Sequence, residues 1–176
     1  MEDIDSSVML KEKLLSAGID EIANHGMKNF SLRRVAAACG ASCAAPYKHF
    51  KNKEHFINEI IQYVEEKWKH LSAQISDVFD DPKARIAELC VAHVRFKIGN
   101  PLFGKGSQDF DSVISKEISK FCESAHIDAS EKIFIISALI TGAAVLIESG
   151  KLENDGKTFN LLRKKILSEL VVKENE

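Results

Sequence analysis

One apolar stripe limits the fold of this 176-residue chain more than any other feature. Phe56, Ile60, Val64, Trp68, Leu71, Ile75 and Val78 recur at steps of three and four over about residues 53–79. That is the period of one helix face, not of a strand. The same spacing returns in Val8, Leu14, Leu15, Ile19 and Ile22, predicting a helix over about residues 5–25. It returns again in Ile86, Leu89, Cys90, His93 and Phe96 (about 82–98) and in Phe159, Leu162, Ile166 and Leu170 (about 158–172). Two more helices are expected over about 109–125 and 129–149, the second apolar almost all round. No segment alternates with period two, and three prolines and nine glycines leave few breaks. The expectation is an all-α fold without a sheet.

Local punctuation sharpens the first third of the chain. Gly26 suits the residue past a helix end, where positive φ is easiest for glycine. Ser31 reads as the N-cap of a short helix over 32–39, which Gly40 ends. Ser42 is expected to cap a third helix running to about residue 50, which would put Pro46 at its fourth position. Asp128 should cap the apolar helix that follows it.

Charge is informative in its distribution. Between Lys28 and Lys53 stand Lys28, Arg33, Arg34, Lys48, Lys51 and Lys53, with no Asp or Glu. The formal net charge of the whole chain is −2, so the remainder is acidic. A local cationic patch on an acidic chain suits contact with a polyanion. Cys39, Cys43, Cys90 and Cys122 sit among apolar or small residues at spacings of neither a zinc site nor a disulfide framework. They are expected to be buried free thiols in a reducing compartment. The N-terminus lacks a basic region followed by an apolar one, and the stretch 133–147 is broken by Ser137, Thr141 and Gly142. Neither a signal peptide nor a membrane span is expected, and the location reads as cytoplasmic.

Other chemistries find little support. Gly99 to Lys105 fits the first seven positions of a P-loop, but Gly106 stands where the Mg²⁺-binding hydroxyl belongs, and a helix precedes it rather than a strand. No paired carboxylates, nucleophile–base set or metal-ligand spacing is present, so neither an enzyme nor a bound metal or cofactor is expected.

The segment from Ser31 to Phe50 reads as two short helices joined by a glycine-containing turn, with Leu32, Val35 and Ala36 holding the first. Small residues (Ala36 to Ala38, Ala41, Ala44, Ala45) allow the two to cross closely and the second to project into a major groove. The register of Gly26, Ser31, Val35, Ala36, Cys39, Gly40, Ala41, Ser42, Tyr47, His49, Phe50, Lys53, Glu54 and Phe56 resembles the N-terminal DNA-binding domain of TetR-family repressors. The resemblance covers about the first third of the chain. It departs at Ala41, commonly valine, and at Pro46.

The resemblance implies a three-helix DNA-binding domain over 1–52 and a helical regulatory domain over 53–176. It implies DNA contact by Ser31, Arg33, Ser42, Tyr47, Lys48, His49 and Lys53, mainly at phosphates, with Ala44 and Ala45 facing base edges and Phe50 in the core. A break such as that from Phe96 to Phe103 lines or gates the ligand pocket in proteins of this type. Trp68, His93, Phe96, Phe103 and Phe110 are therefore pocket candidates, an ordinary apolar core being the other reading. The apolar helix and the last one are expected to form a four-helix interface with a second copy through Ile136, Ile140, Ala143, Ala144, Ile147, Leu162 and Ile166, the other reading being a central helix fully buried within a single chain. The functional expectation is a homodimeric repressor on a palindromic double-stranded operator, released by a small-molecule effector. The alternative is a helical sensor or partner-binding protein of the same fold without specific operator binding.

Overall fold

The computed structural model describes residues 2–105 and 112–171, with side chains from residue 7 onward. Every regular element among the described residues is helical. The α-helices are α1 (Glu2–His25), α2 (Leu32–Ala38), α3 (Ala45–His49), α4 (Lys53–Val78), α5 (Pro82–Gly99), α6 (Ser112–Ser124), α7 (Ala129–Glu148) and α8 (Gly156–Glu169). A 3₁₀ turn at Met27–Asn29, which the sequence reading lacks, links α1 to α2. Helix starts follow side-chain capping. Asp81, Asp128 and Asp155 accept hydrogen bonds from the amides of Ala84, Ser130 and Thr158, filling donors a helix leaves open.

Two compact units emerge, and their division falls inside α4 between Lys67 and Trp68. The turn beginning at Asn100 groups with the first unit. In that unit α1, α2 and α3 pack mutually, and the first half of α4 contributes Phe56, Ile60 and Val64, all fully buried. Phe50, Phe56 and Phe30 form an aromatic cluster, Phe50 edge-on to Phe56 at 4.5 Å. Such an arrangement suits the quadrupoles of both rings. Gly18 on α1 lets α4 approach: a Cβ there would stand 2.6 Å from both Ile60 and Phe56.

In the second unit α5 is central and packs on α6, α7 and α8. Ile86, Leu89, Cys90 and Val94 of α5 meet Ile118 and Cys122 of α6, Ile136 and Ile140 of α7, and Leu162 and Ile166 of α8. Ion pairs flank this core, Arg85 to Glu117 at 2.8 Å and Arg163 Nη2 to Glu88 at 2.9 Å. Helix α7 runs for 20 residues and is long and apolar enough by length and composition alone to cross a bilayer, a test that the core helix of a soluble protein also passes. One of its faces is accounted for by Ile136, Ile140, Ala144 and Ile147 in this core.

Candidate nucleic-acid interface

Pro46 decides where the third helix starts. Proline has no amide hydrogen and is tolerated only in the first turn. The helix accordingly begins at Ala45, with Pro46 at its second position and Ala44 as the N-cap residue. Ser42 therefore does not cap α3; its carbonyl accepts from the Ala45 amide in the preceding turn. Gly40, at φ 64, makes the reversal between α2 and α3, a conformation that costs glycine least.

The exposed face of this helix-turn-helix follows from that start. Ala44, Tyr47 and Lys48 lie at i, i+3 and i+4, so they share one face, and all three are exposed, Tyr47 by 61%. Ala45 and Pro46 turn inward and are buried. Ala45 thus packs in the domain and is withdrawn from the set expected at base edges. Arg33, Ser42 and Lys53 are exposed, while Ser31 and His49 are half-buried. Cys43 is exposed beside Ser42 and Ala44, and Cys39 is half-buried with its thiol donating to the Lys13 carbonyl at 3.4 Å. Burial of all four cysteines therefore holds only for Cys90 and Cys122, on the inner faces of α5 and α6.

Ser31 does cap α2, its Oγ accepting from the Arg34 amide at 3.4 Å. Its own amide donates to Glu21 Oε1 at 3.1 Å. Glu21 is buried and also takes the Arg34 guanidinium, Nε to Oε1 at 2.9 Å. Hydrogen bonding to Arg34 is the largest influence holding its carboxyl below the usual glutamate range. One of the six cations between Lys28 and Lys53 is therefore neutralised by α1. This acid lies seven residues before the segment that is free of acids, outside it in sequence though not in space.

The link from α3 to α4 is tied down in detail. Asn52 Oδ1 accepts the His55 amide at 2.8 Å, capping α4. Lys53 Nζ donates to the Phe30 carbonyl at 3.3 Å and stands 5.3 Å above the Phe30 ring. Lys48 and Lys51 have exposed side chains. The surface built by Arg33, Ser42, Ala44, Tyr47, Lys48, Lys51 and Lys53 is cationic, carries hydroxyls and, apart from the Tyr47 ring, has only small apolar groups at its centre. It offers charge and hydrogen bonds to a phosphate backbone with few groups that could read bases.

The expected effector and dimer sites lie elsewhere. In the second unit the Trp68 ring meets His93 edge-on at 5.4 Å and Phe96 at 5.5 Å. Burial, then the nearby Lys97 charge, pushes the His93 pKa down to about 4. Phe103 is buried in the turn grouped with the first unit, and Phe110 falls outside the described residues. Of the seven expected interface residues, Ile136, Ile140, Ala144, Ile147, Leu162 and Ile166 are buried in the chain's own core. Only Ala143 remains partly open. A helix apolar all round does not reveal which face its own domain takes. The free face of α7 presents Phe134, Ala138, Val145 and Leu146, and Leu161 of α8 is also exposed. Between the two helices runs an apolar groove of about 240 Å³ lined by Leu139, Gly142, Ala143, Leu146, Leu152 and Leu161 among others.

Residues 14–60 match the family described as bacterial regulatory proteins, tetR family. No curated protein matches the chain in sequence. Solved structures share its fold. A TetR family transcription regulator from Marinobacter aquaeolei VT8 aligns at TM-score 0.68 and 15% identity, covering 96% of this chain and 98% of that one. The transcriptional regulator FadR from Bacillus subtilis, in complex with stearoyl-CoA, aligns at 0.66 and 16%, covering 91% and 97%. A regulator of the TetR/AcrR family from Thermobifida fusca YX-ER1 aligns at 0.59 and 17%, covering 91% and 95%.

Proposed function

We propose that this chain, which carries the N-terminal domain of the tetR family of bacterial regulatory proteins within an all-helical fold of the same type, is a ligand-responsive transcription regulator. It binds a palindromic double-stranded operator as a homodimer and represses until a small-molecule effector releases it. The observation that carries this reading is the exposed trio of Ala44, Tyr47 and Lys48 on α3, flanked by Arg33, Lys51 and Lys53. Phosphate contacts from these residues supply affinity, and base discrimination rests on the small central groups, water and DNA shape.

The dimer forms through the open face of α7 and α8, Phe134, Ala138, Val145, Leu146 and Leu161. A contiguous apolar surface of this kind is costly to leave in water, and a two-fold axis makes it self-complementary. Two copies then present their α3 helices about 34–36 Å apart, one turn of duplex. The effector occupies the second unit near Trp68, His93 and Phe96. The reading draws support from FadR of Bacillus subtilis, of similar fold, whose structure is a complex with stearoyl-CoA. A regulator of this kind works in the compartment that holds the DNA, the cytoplasm.

The test is a band shift with duplex DNA flanking the chain's own gene. Binding should depend on an inverted repeat and fall steeply with salt. Tyr47→Ala and Lys48→Ala should each weaken it while the far-ultraviolet spectrum stays unchanged. Binding that ignores sequence altogether would count against an operator-specific regulator, and wild-type affinity in both variants would remove α3 from the interface.

A further inference from the structure

We infer that His55 is a positioning residue for DNA binding, acting through the backbone of Lys51; this rests on the DNA-binding reading of the helix-turn-helix. Only Lys51 and Asn52 separate Phe50, the C-cap residue of α3, from Lys53, the first residue of α4. The Lys51 amide donates to His55 Nδ1 at 3.3 Å. In return the His55 amide donates to Asn52 Oδ1 at 2.8 Å. This is a variant of a capping box: Asn52 takes the His55 amide as the cap does, while the imidazole, in the place normally held by a Glu or Gln side chain, accepts from Lys51, the residue before the cap, rather than from the cap itself.

The ring is fixed from its other sides. Its Nε2 faces Glu59 Oε1 at 3.5 Å, and Glu59 Oε2 is held by Lys11 Nζ of α1 at 2.7 Å. The Phe50 ring lies 6.2 Å away, centroid to centroid. An Nδ1 that accepts requires the proton on Nε2, where it points at a carboxylate. The network therefore selects one tautomer and one ring orientation. Through the Lys51 amide it also sets the plane of the peptide joining Phe50 to Lys51. That plane directs the Lys51 side chain and the approach of Lys53, both exposed on the cationic surface. His55 needs no contact with DNA to do this: it acts on where the phosphate-binding groups stand.

Two isosteric variants of the full-length chain separate the ring's two functions. His55→Asn places an amide oxygen where Nδ1 stood and keeps an acceptor for Lys51. His55→Gln places an amide where Nε2 stood and keeps only the partner of Glu59. Hydrogen exchange at the Lys51 amide, measured without DNA, should be fast in His55→Gln and close to wild type in His55→Asn. On duplex DNA flanking the chain's own gene, His55→Gln should bind roughly three- to tenfold more weakly, with the salt dependence reduced by about one phosphate contact, and His55→Asn should stay within about twofold. Equal affinity and salt slope in the two variants would overturn the positioning role, as would equally slow Lys51 exchange in both. Imidazole ¹⁵N spectra of the unaltered protein at alkaline pH give a readout free of folding effects: the Nε2–H tautomer is expected, and the Nδ1–H tautomer overturns the inference. A wild-type protein that binds no duplex at all instead overturns the proposed function, while the exchange and tautomer results still judge the His55 geometry.

Discussion

The Glu21 carboxylate on α1 receives both the Arg34 guanidinium, Nε to Oε1 at 2.9 Å, and the Ser31 amide at 3.1 Å. One buried acid thereby fixes the entry to α2 and removes Arg34 from the cations available to a polyanion. Replacing it should loosen the helix-turn-helix, because the Ser31 amide would lose its acceptor and Arg34 its partner. Glu21→Leu is expected to lower the melting midpoint by several degrees in a thermal scan. The sign of the pH effect follows from the lowered folded pKa. The stabilisation is complete above the unfolded glutamate value, about 4.3, and is lost as pH falls through the lower folded value. The variant should lack this part of the acid sensitivity.

Gly18 offers a test of close packing. Alanine is the better helix former by about 1 kcal/mol, so an exposed site would gain from the change. Here the new Cβ meets Ile60 Cδ1 and Phe56 Cε1 at 2.6 Å, and both of those residues are fully buried. Overpacking of this kind costs about 1–3 kcal/mol. Gly18→Ala should therefore destabilise, and Gly18→Val more so, in urea titrations. A stabilised Gly18→Ala would show that α1 and α4 separate easily.

His93 should make the second unit acid-sensitive. Its folded pKa is lowered to about 4 by burial and by Lys97. The unfolded imidazole takes up a proton below about 6.5, so stability is complete above that value and falls as pH drops toward the folded one. The full effect is of the order of 3 kcal/mol. His93→Leu should flatten the stability profile across that window in chemical denaturation at a series of pH values. An unchanged slope would assign the acid sensitivity to other groups.

The open face of α7 and α8 predicts how the oligomer breaks. Leu161→Arg sets a charge on a side chain that is 56% exposed in the single chain, so folding should survive. Sedimentation should then report monomers, and operator affinity should fall with the lost second half-site. A dimer mass that persists would place the interface elsewhere. Ile140→Arg is the control: this side chain is buried in the chain's own core, and the variant should unfold rather than dissociate.

Much of the architecture was legible because helical order is local. The stripe from Phe56 to Val64 and that from Ile86 to His93 are inner faces in the structure, and Ser31, Asp128 and Gly40 do what their chemistry suggests at helix ends. The register from Gly26 to Phe56 pointed to the family domain that residues 14–60 match. The start of α3 was misplaced because two local rules competed, a capping serine at Ser42 against a proline confined to the first turn, and the proline won.

What the sequence could determine by itself is what depends on neighbours along the chain: the helices, their caps, the glycine turn and the small-residue crossing of a helix-turn-helix. Tertiary structure alone decided which apolar face of α7 the chain keeps for itself, since Ile136 and Val145 look alike until α5 covers one of them. It also decided which cations are free, since Glu21 reaches Arg34 from another helix. Long-range burial and charge pairing depend on distance in space, and thirteen residues of chain separating Glu21 from Arg34 carry no sign that the two side chains meet.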